Sequence, residues 1–80
     1  MNTYEKQFIA KCPNNGEMIL YQFRLQVKNR MVLVEHINTA CALHKTGYHE
    51  DIANALFERF GGVQTLKARH DGVDITTERS

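Results

Sequence analysis

Tryptophan is absent from this 80-residue chain, proline occurs once, cysteine twice, and charge of neither sign prevails. Each shortage removes a class of protein. Two cysteines are too few for a disulfide scaffold, and Cys12 and Cys41 are expected to be free thiols in a reducing cytoplasm. A lone proline, with no repeat, linker or low-complexity run, marks no internal boundary, so residues 1–80 are expected to form one domain. The formal net charge of +1 gives no argument for binding nucleic acid or an anionic membrane surface. No apolar run approaches a transmembrane helix, and the N-terminus lacks the basic and apolar regions of a signal peptide. His36, His44, His49 and His70 show no H-x-H or H-x-x-x-H spacing and the cysteines no C-x-x-C, which argues against zinc.

What is there is ordinary globular material, 42% hydrophobic and 24% charged. From Tyr4 to Ala10, Phe8 and Ala10 face one way and Ile9 the other, as in a strand; Cys12 continues the parity of Phe8 and Ala10. Pro13-Asn14-Asn15-Gly16 is turn chemistry. Met18 to Val27 alternates cleanly and predicts a long, half-buried strand antiparallel to the first. After a turn at Lys28-Asn29-Arg30, Met31–Val34 reads as a short extended piece. Glu35–Lys45 reads as a helix with Ile37, Ala40, Cys41 and Leu43-His44 near helical spacing, and Gly47 is placed as its C-terminal cap.

Tyr48 or His49 starts a second helix, whose stripe is Ile52, Ala55, Leu56, Arg59 and Phe60 and which Gly61-Gly62 stops. Val63–His70 reads as an edge-like strand of mixed polarity. Asp71-Gly72 is a hairpin signal, and Val73, Ile75 and Thr77 lie on the last strand. The expected fold is α+β, in the order β-β-α-α-β-β, an antiparallel sheet with two helices on one face. A core of this size supplies only about 3–5 kcal/mol. The polar second face of so small a sheet leads us to expect a homo-oligomer.

Three residues stand where elements end and can carry chemistry. Cys12 follows a strand and precedes a turn, which offers access; a reactive thiol also needs a lowered pKa, and a small buried hydrophobe is the plainer role. Glu50, in the first turn of the second helix, complements the helix dipole. It could also accept paired hydrogen bonds from a ring N–H and an exocyclic NH2, a match for guanine-like or pterin-like rings. His49 beside it suits a proton carrier, or equally a helix-capping or surface residue.

Taken together, C-P-x-x-G from Cys12 to Gly16, V-E at Val34-Glu35 and H-E-D at His49–Asp51 resemble the queuosine-pathway nitrile reductases. These form the QueF family of the tunnelling-fold (T-fold) superfamily. The resemblance runs from Phe8-Ile9-Ala10-Lys11-Cys12-Pro13 to Arg69-His70-Asp71-Gly72-Val73-Asp74-Ile75. It implies a ring-shaped oligomer with pockets between subunits. In them Cys12 would attack the nitrile carbon of 7-cyano-7-deazaguanine to give a thioimide. The resemblance further implies that His49 shuttles the proton, Glu50 anchors the ring, and Glu35 contributes to ligand binding.

Departures narrow the implication. Ile19 stands where the family motif carries its general-acid aspartate, and Asn15 replaces the motif threonine. The lysine-rich stretch that helps bind NADPH is missing after Glu35, so no cofactor motif is recognisable. Reduction is disfavoured, and shortened relatives that amidate a nitrile offer a closer analogy. Glu17, also in the turn, could replace the missing acid. The alternative is a non-catalytic ligand-binding or assembly protein on the same scaffold.

Overall fold

Alternating apolar and polar residues drive four segments into one sheet. The computed structural model describes residues 1–80 and contains β1 (Asn2–Lys11), β2 (Met18–Val27), α1 (Val34–Leu43), α2 (His49–Phe60), β3 (Val63–His70) and β4 (Val73–Arg79). The strands lie in the order β1-β2-β3-β4 and every neighbouring pair is antiparallel. This is the expected α+β arrangement. Both helices fall between β2 and β3, with α1 over β1 and α2 over β3 and β4.

The register stacks one row of inward side chains across the sheet, Phe8 opposite Tyr21, Tyr21 opposite Ala68 and Ala68 opposite Ile75. On β2, Ile19, Tyr21, Phe23, Leu25 and Val27 are all buried, as period-two patterning requires. The helices close the layer with Ile37, Ala40 and Cys41 from α1 and Ile52, Ala53, Leu56 and Phe60 from α2. The opposite sheet face has no covering layer. It carries polar rows such as Glu5, Arg24, Thr65 and Glu78, the pattern of an antiparallel sheet open to solvent on one side.

Several boundaries differ from expectation. β3 is central, not an edge; its mixed polarity arises because one of its faces is bare, and the true edges are β1 and β4. Residues 31–33 join no ladder, and Val34 already belongs to α1. α1 ends at Leu43 with His44 as its cap, so Gly47 is not the cap. The cause is tertiary: Lys11 N–H donates to the Lys45 carbonyl at 2.8 Å and Gly47 N–H donates to the Lys11 carbonyl at 3.1 Å. Pairing with the end of β1 pulls the chain out of the helix. Leu43 lies off the α1 face that carries Ile37, Ala40 and Cys41 and is exposed, and Arg59 on α2 is likewise exposed.

The C-terminal end of α2 is closed by side chains. Buried Gln64 donates through Nε2 to the Leu56 carbonyl at 3.0 Å and the Gly61 carbonyl at 2.8 Å, and Arg30 donates to the Phe60 carbonyl. Gly62 then returns the chain into β3 with φ of 68°, and a Cβ there would stand 2.5 Å from the Gln26 carbonyl oxygen. Only glycine fits. No helix is long and apolar enough to cross a membrane.

Candidate functional site

Strand parity puts Cys12 on the covered side of the sheet, in line with Phe8 and Ala10, and its side chain is only 4% exposed. The Pro13–Gly16 turn is locked on either side of it. Cys12 N–H donates to the Glu17 carbonyl at 2.8 Å, and Gly16 N–H donates back to the Cys12 carbonyl at 2.9 Å. Against this turn lie the loop entering α2 and the hairpin end of β3 and β4. Between them is a cavity of about 110 Å³, lined among others by Cys12, Asn14, Tyr21, Tyr48, His49 and His70.

His49 opens α2 because Tyr48 before it is extended and its own ring can dock on the sheet. Its Nε2 lies 3.1 Å from the Leu66 carbonyl. A carbonyl only accepts, so Nε2 carries the proton and Nδ1 is the unprotonated nitrogen, buried and without a partner. The ring centroid is 5.4 Å from that of Tyr21, which itself stacks on Phe8. Burial lowers the imidazole pKa; the Leu66 bond and the Glu50 charge oppose this, and Arg79 adds to it. His49 is therefore a neutral ring. Burial raises the Tyr21 phenol pKa, helped by the neighbouring Cys12.

His70 was not singled out by sequence. Its Nε2 lies 3.2 Å from a Glu17 carboxylate oxygen and 3.3 Å from the Asn15 amide nitrogen. Parity with Leu66 and Ala68 marks it as inward-facing, but only the fold reveals which hairpin it meets. Glu17, raised above as a substitute acid, thus touches the cavity wall through His70.

Glu50 and Glu35 stand elsewhere. The Glu50 side chain is 67% exposed and accepts from Arg79 at 2.8 Å, outside the cavity lining. Glu35 is exposed on the first turn of α1. That turn follows Val32, whose N–H donates to the Tyr4 hydroxyl at 3.0 Å, at the far end of β1 from Cys12. At about 3.3 Å per residue, some 25 Å of strand separate the two ends. The fold therefore brings together Cys12 and His49, and leaves both acids outside. Both cysteines are free, and burial pushes the Cys41 thiol up to about 11, which leaves it inert scaffold. No three His, Cys, Asp or Glu side chains gather in a metal-holding group.

The fold and cavity define a small α+β domain with a thiol and two imidazoles facing one concavity. Compared with known proteins, the chain matches no family model, no curated protein and no solved structure.

Proposed function

We propose that this is a QueF-like T-fold protein that binds a 7-deazaguanine or related purine or pterin ring, with Cys12 as nucleophile toward a nitrile carbon. The observation carrying this reading is that the thiol of C-P-x-x-G and the imidazole of H-E-D line one cavity. Thiolate addition to a nitrile requires a nucleophile and a proton source at the same place.

The cavity of about 110 Å³ lies below the range of about 300–1,000 Å³ usual for small-molecule sites. One protomer thus encloses only part of a ring site, and a homo-oligomer is part of the proposal. The unpaired outer edges of β1 and β4 favour association, since an exposed strand edge is a template for another chain. Glu50, exposed beside the cavity, is the anchor for the ring's N–H groups in such an assembly. NADPH has no recognisable place in the scheme.

Incubation with 7-cyano-7-deazaguanine is expected to add the mass of the nitrile to the intact chain, and Cys12→Ala to abolish the adduct. Ring binding by calorimetry is expected to survive Cys12→Ala and to be lost in Glu50→Gln. Absence of both adduct and binding rejects the proposal.

A second reading draws on Ile19, an apolar cavity wall where the family motif has its acid. It is a ring-binding or assembly protein that has lost the chemistry. Binding without any adduct, in a protein whose Cys12 is alkylated by iodoacetamide, selects it.

A further inference from the structure

The two helices differ on their outward sides. From His36 to His44 no Asp, Glu, Lys or Arg occurs, although His36, Asn38, Thr39, Ala42 and Leu43 are all exposed. The outward side of α2, by contrast, carries Glu50, Asp51, Asn54, Glu58 and Arg59. A helix side that faces water normally carries charge, whereas the centre of an interface is depleted of it. Beside the uncharged side of α1, an open groove of about 320 Å³ lies between the helices. Its floor is buried Ala40 and Leu56 with half-buried Ala55, and exposed Leu43, Glu58 and Arg59 stand on its rim.

We propose that this surface is a two-fold interface between copies of the chain, with Leu43 of each copy seated in the α1–α2 groove of the other. The interface is independent of the proposed ring chemistry and lies on a different face from the free strand edges.

A second copy is the occupant because the surface is complementary to itself. It carries both a projecting apolar side chain, Leu43 at 68% exposure, and an apolar hollow beside it. The rim charges match in the same way. Glu58 and Arg59 are neighbours of opposite sign, and neither belongs to any of the fold's three ion pairs. Arg59 lies with Cζ 5.7 Å from the Phe60 ring centroid, a contact that leaves its charge without a carboxylate. A two-fold axis makes every contact twice, residue i on j and j on i. Glu58 of each copy then meets Arg59 of the other. His44 is the remaining titratable group at the groove, and burial lowers its pKa, so it brings no charge near neutral pH.

Sedimentation equilibrium over a range of protein concentrations measures the association. Wild type is expected to associate reversibly. Leu43→Lys should raise the dissociation constant about thirtyfold or more, the loss of a central interface residue. A lysine suits the last turn of a helix, so the variant should melt with the wild type in dilute solution. Glu58→Arg alone and Arg59→Glu alone each set like charges across the axis and should weaken association. The double variant exchanges the two charges, restores both pairs and should recover what the single reversals lose.

A wild type that stays monomeric throughout overturns the proposal. So does a dissociation constant unchanged in Leu43→Lys, which would leave any association to the strand edges. A double reversal no tighter than the single ones also overturns it, because Glu58 and Arg59 would then not face each other across an axis.

Discussion

Leu56→Ala and Leu43→Ala make the same chemical change on the two helices, and the fold assigns them opposite consequences. Leu56 is 1% exposed beneath the sheet, whereas Leu43 is 68% exposed past the last core turn of α1. Truncating a fully buried leucine loses its transfer free energy and leaves a void, a cost of about 2–5 kcal/mol. At about 0.05–0.15 kcal/mol per residue, a chain of this length has about 4–12 kcal/mol in all. Leu56→Ala therefore removes a large share and unfolds a weakly stable protein outright. Leu43→Ala exchanges one good helix former for a better one at the surface and should stay within about 0.5 kcal/mol. Urea titrations followed by circular dichroism measure both. With an m-value near 1.5 kcal/mol per M, a loss of about 3 kcal/mol lowers the Leu56→Ala midpoint by about 2 M. Equal midpoints for the two variants would refute the assignment of the buried helix face. A Leu43→Ala cost that appears at high protein concentration and shrinks on dilution would place Leu43 in an interface between copies.

Acid should destabilise the fold through two half-buried imidazoles. Burial lowers the pKa of both His49 and His44, so the unfolded chain binds more protons across that window. Their stabilisation is complete above the ordinary imidazole value of about 6.5 and is lost as pH falls through the folded-state values. Melting temperatures are expected to fall between about pH 7 and about pH 5, less steeply in His49→Gln; an equally steep fall in that variant rejects the His49 share. Asp71 and Gly72 both have positive φ, and nothing stands within 4 Å of a Cβ at Gly72, so Gly72→Val should cost backbone strain alone. That is about 1–2 kcal/mol, several degrees of melting temperature, and an unchanged value contradicts the primed turn. Gln64→Leu strands the Leu56 and Gly61 carbonyls at the end of α2 and should cost about 2 kcal/mol; an unaltered urea midpoint would show that water replaces the amide.

What could be read beforehand was local, and what could not was register. The alternation of β2 needs no partner to be recognised, and Asp71-Gly72 writes its turn in two residues. The end of α1 is different: Gly47 offers a good helix stop, but the chain leaves the helix earlier because Lys11, far away in sequence, captures the backbone on either side of Thr46. The same limit applies to the site. Parity shows that Cys12 and His70 face inward, but their shared cavity depends on β2 pairing with β3, a contact that spans both helices. Glu35 was grouped with the site by motif order, and the start of α1 beside Tyr4 sets it at the other end of the sheet.

Adjacent residues on α2 also divide the proposed ring chemistry between two surfaces, since neighbours on a helix point about 100° apart. His49 lines the cavity, while Glu50 faces outward and is held by Arg79. That pairing is a weak obstacle to ring binding. An exposed ion pair contributes about 0–1 kcal/mol, whereas a single hydrogen bond to a charged group contributes about 1.5–3 kcal/mol. A guanine-like ring offers such bonds in pairs. Arg79 would not be left unsatisfied, because its guanidinium also donates to Asn54 Oδ1 at 3.1 and 3.2 Å and to the Glu78 carbonyl at 3.1 Å. On the proposed reading, exchange at Glu50 would leave neither group without a partner. A ring that reaches Cys12 and Glu50 together must lie across the mouth of the cavity, where this protomer offers it only one wall. On the proposed reading, a second copy would supply the missing wall.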